Sequence, residues 1–159
     1  MKALHILTTV VGLCLMGPTA LAQDIKPVLA AYLEVKDALV ASNGAQAKAK
    51  ANSLLKALDK LKSQKLSAVD QKRLAAIDVG AFSICKSSNV DGQRNFFESL
   101  STNMIALVKS TKPQKMYVQF CPMADNNQGA YWLSDKKQIA NPYFGDQMLT
   151  CGNVTEEIK

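Results

Sequence analysis

The sequence predicts a mainly α-helical protein, an antiparallel four-helix bundle closed by a small C-terminal β-hairpin and loop cap. Three observations carry that expectation. Apolar residues recur at helical spacing from Ile25 to about Val108. Short polar stretches join the four periodic runs, which favours antiparallel neighbours. Past Thr111-Lys112-Pro113 the period fails, and six of the ten aromatic residues lie beyond Pro113.

The first helix places Val28, Leu29, Tyr32, Val35 and Leu39 on one face, with Pro27 suited to a first turn because its fixed φ matches the helix and its missing N–H costs nothing there. Ser42-Asn43-Gly44 is a turn. The second helix carries Ala47, Ala51, Leu54, Leu55, Leu58 and Leu61 on a stripe opposite its lysines. Ser67, three residues before Asp70, resembles a capping box and opens a third helix with Leu74, Ile77, Ala81 and Ile84 inward. Cys85 continues that stripe as a small buried hydrophobe. The fourth begins near Asn89-Val90-Asp91 and carries Phe96, Phe97, Leu100, Met104, Leu107 and Val108. In the cap, Met116 to Phe120 and Ala130 to Leu133 read as strands around a turn at Asp125-Asn126-Asn127-Gln128-Gly129, followed by an irregular loop through Asn141-Pro142 and Gly145-Asp146. About 45 residues with so few aliphatics do not fold alone without a staple or metal, so residues 23–112 and 113–159 are expected to form one domain.

At the N-terminus Lys2 and His5 precede an apolar run from Ile6 to Met16, then Gly17-Pro18 and the small residues of Ala20-Leu21-Ala22. This reads as a signal peptide over residues 1–22, leaving an exported chain from Gln23 that is not membrane-embedded. The remainder loses the only histidine. Without His it builds no Ser-His-Asp or Cys-His pair, no His-ligated zinc site and no blue-copper centre. Its 18 Lys and Arg against 13 Asp and Glu give a net charge of +5. Export removes cytosolic nucleic acid as a partner, so this reads as a solvated basic surface.

Chemistry concentrates in sulfur. Cys121-Pro122-Met123 and Met148-Leu149-Thr150-Cys151 each pair a thiol with a thioether, and such donors select Cu(I) over zinc, calcium or magnesium. Met123 follows Cys121 by two residues, which on an extended segment aims both to one side. Met148 precedes Cys151 by three, which one helical turn brings to one face. Cys121 and Cys151 equally suit a structural disulfide closing a 30-position loop in an oxidising compartment, and the two states can alternate with redox conditions. Neither methionine alone departs from ordinary core filling. Catalysis has little support: there is no Cys-x-x-Cys on a βαβ scaffold, and Asp125, Asp135 and Asp146 fall in turns where aspartate is expected for backbone reasons.

The strings Tyr117-Val118-Gln119-Phe120-Cys121-Pro122-Met123, Gly129-Ala130-Tyr131-Trp132-Leu133-Ser134 and Asn141-Pro142-Tyr143-Phe144-Gly145-Asp146-Gln147-Met148-Leu149-Thr150-Cys151-Gly152 resemble a bacterial periplasmic domain family of unassigned function. That family occurs free-standing and at the C-terminus of CusB-type copper and silver efflux adaptors. The resemblance extends to the helical part, including Met104-Ile105-Ala106-Leu107-Val108-Lys109. It implies a periplasmic setting, copper or silver handling, and efflux or copper-chaperone components as partners. Many members carry histidine directly before the Cys-Pro-Met, where this chain has Phe120, so a metal site here rests on sulfur alone.

The sequence thus leads to a non-enzymatic periplasmic module binding Cu(I), or Ag(I), through Cys121, Met123, Met148 and Cys151, with no organic cofactor. The alternative is a protein-interaction module of an efflux assembly, closed by a Cys121-Cys151 disulfide and holding no metal.

Overall fold

A computed structural model describes residues 24–64 and 66–159. The expected signal peptide lies outside them. Four helices run in order, α1 Lys26–Val40, α2 Gly44–Lys62, α3 Ala68–Lys86 and α4 Val90–Thr111, joined by connections of three, five and three residues. Each start has a local cause. Pro27 occupies the first turn of α1. Asn43 and Asn89 accept the Gln46 and Gly92 amides at 2.9 and 2.8 Å, and Ser67 accepts the Asp70 amide at 3.0 Å, supplying acceptors to otherwise unpaired N–H groups. Helix α4 stops at Lys112, left-handed at φ 45°, immediately before Pro113.

Apart from the half-buried Leu55, the predicted inward faces of α1 to α3 are buried, as are Leu100 and Met104 of α4, with Tyr32, Leu39, Leu54, Leu58, Ile77 and Ile84 among them, at about 1.5–3 kcal/mol for each large aliphatic withdrawn from water. Cys85 is buried on the α3 stripe. Phe96 departs from the expectation: it is 44% exposed, while its neighbour Phe97 takes the core position and stacks on Tyr32 at 5.4 Å. Adjacent aromatics cannot share one helical face, and the stripe through Phe97, Leu100, Met104 and Val108 selects Phe97. Helices α3 and α4 approach closely at Gly80, where a Cβ would lie 2.9 Å from that of Leu100.

The cap is a three-stranded antiparallel sheet, larger than the expected hairpin. Its strands are β1 Met116–Cys121, β2 Ala130–Ser134 and β3 Asn153–Ile158, in spatial order β2-β1-β3. The last strand is hidden in the sequence because Glu156 and Glu157 break its apolar alternation. Such charges belong on an edge, where they discourage pairing with another chain, and Glu157 here meets Lys115 at 3.0 Å. A bulge between Val118 and Gln119 shifts the β1–β3 register. Strand β2 packs against α4 with Trp132 and Leu133 buried, filling the side of the bundle where α1 and α4 meet little directly. Among the described residues no helix is long and apolar enough to cross a membrane.

Candidate functional site

The sheet order brings the sulfur-bearing segments together. Cys121 ends the central strand, paired with Ala130 of β2, while Cys151 lies just before the strand that flanks β1 on its other edge. Because Phe120 pairs with Asn153, the two thiols become cross-strand neighbours, and their Sγ atoms lie 2.8 Å apart. Cys121 is fully buried and Cys151 is half-buried. Gly152 permits this approach. Its φ is +133°, and a Cβ there would meet the Phe120 carbonyl oxygen at 2.6 Å and the Trp132 ring at 3.0 Å.

Asn141 holds the Cys151 loop and is itself completely buried. Its Nδ2 donates to the Cys151 carbonyl at 2.9 Å, its Oδ1 accepts the Tyr143 amide at 2.8 Å, and its own amide donates to the Leu149 carbonyl at 2.9 Å. Trp132 meets Tyr143 edge-on at 5.9 Å, and the Tyr143 hydroxyl donates to the Tyr131 carbonyl at 2.6 Å. Arg94 of α4 ties the same loop to the bundle. Its Nε donates to the Pro142 carbonyl at 3.0 Å, and its Nη2 donates to the Leu39 carbonyl at 3.2 Å and to Ser42 Oγ at 2.9 Å. Sequence reasoning missed both Asn141 and Arg94. An Asn-Pro pair reads as a turn, and a helical arginine three residues after an aspartate reads as a surface ion pair.

The methionines are placed differently. The alternation that would aim Met123 alongside Cys121 does not continue past the strand: β1 ends at Cys121 and Met123 has helical backbone angles. Met123 is 49% exposed and lines a cleft with Arg94, Glu98 and Tyr143, among whose lining residues neither cysteine occurs. The chain then makes a left-handed turn, with positive φ at Asp125, Asn126 and Asn127, residue types that tolerate this conformation better than most. Met148 is half-buried, and its carbonyl accepts the Cys151 amide at 3.1 Å, so the two residues form a single turn. Among the described residues no group of three or more His, Cys, Asp and Glu side chains is placed to hold a metal.

The two thiols share a proton-dependent contact. Hydrogen bonding to Cys121, with desolvation adding to it, pushes the Cys151 thiol up to about 11. Burial pushes the Cys85 thiol up, and its Sγ lies 3.6 Å from the Lys48 carbonyl of α2. Zinc ordinarily takes four ligands, and no third charged donor joins this pair among the described residues.

No curated protein and no solved structure matches the chain. A family profile described as "Protein of unknown function (DUF3347)" matches residues 28–116. That span runs from α1 to the first residue of β1 and stops short of the Cys121 and Cys151 segments. It covers more than half of the 159 residues, and the chain belongs to this family of unknown function.

Proposed function

We propose that the protein is a non-enzymatic, exported dithiol module that captures Cu(I), or Ag(I), between Cys121 and Cys151 and passes it to a partner by ligand exchange. The convergence of Cys121 and Cys151, brought side by side by the β1–β3 pairing, carries this reading. Soft monovalent ions are satisfied by thiolate sulfur in low coordination numbers, so a pair without further charged donors fits them. Both thiols give up their protons on capture. Cys151 keeps its proton more tightly than an ordinary thiol, so binding releases it and strengthens as pH rises. Met148, in one turn with Cys151, is the supplementary thioether donor, weak and neutral and suited to a site that must also let go, whereas Met123 lines a separate cleft and is left out of the ligand set. The signal-like leader and the resemblance to domains of CusB-type adaptors support a periplasmic setting, with efflux or copper-chaperone components as recipients.

A second reading is favoured by one distance. Two sulfurs each bound at about 2.3 Å to one ion stand roughly 3.8 Å apart at a tetrahedral angle, and further apart as the angle opens. At 2.8 Å the pair is nearer to disulfide closure than to that separation. In this reading the protein is an interaction module of an efflux assembly, stapled by Cys121-Cys151 and free of metal. Anaerobic titration of the reduced protein with Cu(I) against a competing chelator separates the two. One equivalent bound, lost in both Cys121→Ser and Cys151→Ser, supports the dithiol module. Unchanged affinity in both variants sinks it.

A further inference from the structure

We infer that the cleft between α4 and the left-handed turn after β1 binds a primary alkylammonium group, a site independent of the thiol pair. The cavity measures about 250 Å³. It is lined by the acidic residues Glu98 and Asp125, by Asn95 and Asn126, and by Met123, Tyr143 and Phe144, which supply apolar surface.

Charge decides the sign of the ligand. Among the described residues Arg94 is the one cation in the lining, and it is already committed. Its guanidinium pairs with Asp91 at 3.1 Å, and its Nε and Nη2 donate to Pro142, Leu39 and Ser42, which uses four of its five N–H groups. Glu98 and Asp125 line the cavity, and among the described residues neither forms an ion pair. Thr102 donates to one Glu98 oxygen at 3.0 Å, and among the described residues no protein group donates to the other. Both carboxylates lie near enough to Tyr143 to add to the burial that holds its phenol protonated.

Hydrogen-bond type then selects among cations. Both carboxylates only accept, so a group with several N–H donors satisfies them where a quaternary ammonium does not. The apolar surface suits an attached alkyl chain, with the rings of Tyr143 and Phe144 attractive to positive charge beside it. Sources of this chemistry are a free amine and a lysine side chain of another protein.

Calorimetric and NMR titration with pentylamine and with Nα-acetyllysine amide tests the site. Either ligand is expected to bind, with shifts centred on Tyr143 and Phe144 and weakening in added salt. Tighter binding of pentylamine assigns the site to a free amine, and tighter binding of the lysine amide to a protein side chain. Glu98→Gln and Asp125→Asn each weaken binding roughly fivefold, the upper end for an ion pair reached by solvent. Asparagine tolerates the left-handed backbone at 125, so near-UV circular dichroism should stay unchanged. Equal binding of neutral pentanol, unaltered binding in the Glu98→Gln, Asp125→Asn double variant, or no binding of either amine overturns the proposal.

Discussion

The Tyr32 hydroxyl accepts the backbone N–H of Leu133 at 3.0 Å and meets Ser101 Oγ at 2.8 Å, joining α1, α4 and β2 at one buried point. Burial pushes this phenol's pKa upward, so the group stays neutral and serves as both donor and acceptor. Tyr32→Phe keeps the ring that stacks on Phe97 but strands the Leu133 amide. It should lower unfolding free energy by about 1–3 kcal/mol, read as a shifted urea midpoint with an unchanged slope. An unshifted midpoint would mean that water replaces the hydroxyl.

Reduced protein should lose stability as pH rises from 9.0, the ordinary thiol value, to about 11, the value of Cys151 in the fold. Within that window the unfolded chain has released the proton that the folded chain still holds, so the native state binds more protons and alkali favours unfolding. Below 9.0 the contribution is fully present. Urea unfolding at several pH values, compared with Cys151→Ala, isolates this from lysine and tyrosine titration. Parallel pH profiles for the two proteins would refute the shift.

Gly80→Ala sets helix propensity against packing. Alanine gains roughly 0.5–1 kcal/mol in a helix interior, but its Cβ would sit 2.9 Å from that of Leu100, a contact between two rigid atoms. Overpacking of this kind costs about 1–3 kcal/mol, so the variant should be net destabilised. Thermal unfolding checks the sign, and a raised melting temperature would show that α3 and α4 separate freely.

Asn141→Ala removes the donor to Cys151 and the acceptor for Tyr143 together. One buried and one part-buried backbone group lose their partners, and stability should fall by about 2 kcal/mol. Hydrogen exchange should quicken from Asn141 to Gly152 while α2 and α3 remain protected. Oxidation of the Cys121–Cys151 pair should slow in proportion. Retained protection of the loop would show that Arg94 alone suffices to hold it.

The bundle was legible because its information is local. Pro27, the Ser67–Asp70 cap and the apolar stripes each act within a turn or two of their own position. Phe96 was misplaced because neighbouring phenylalanines look alike until packing chooses between them. The cap was legible as far as its hairpin, whose strands and turn adjoin. Strand β3 escaped because an edge strand carries charges that hide its period, and its partner lies more than thirty residues upstream. For the site, the concentration of sulfur singled out Cys121 and Cys151, which the fold brings together. Periodicity could not place Met123, because the strand ends at Cys121 and the chain turns left-handed beyond it.

The separation between a local bundle and a non-local cap sets an order of events. Helical hairpins close through short loops and form early, whereas β1 must wait for β3, supplied by the last residues of the chain. Cys85 is sealed against α2 in the early part, leaving Cys121 and Cys151 as the thiols still open when an oxidant arrives. In the disulfide reading, timing as well as proximity favours joining Cys121 to Cys151 over any pairing with Cys85. Peptide mapping of protein refolded in air should show Cys121 joined to Cys151 with Cys85 free. A substitution that slows the bundle, such as Leu58→Ala, should raise the share of chains crosslinked through Cys85.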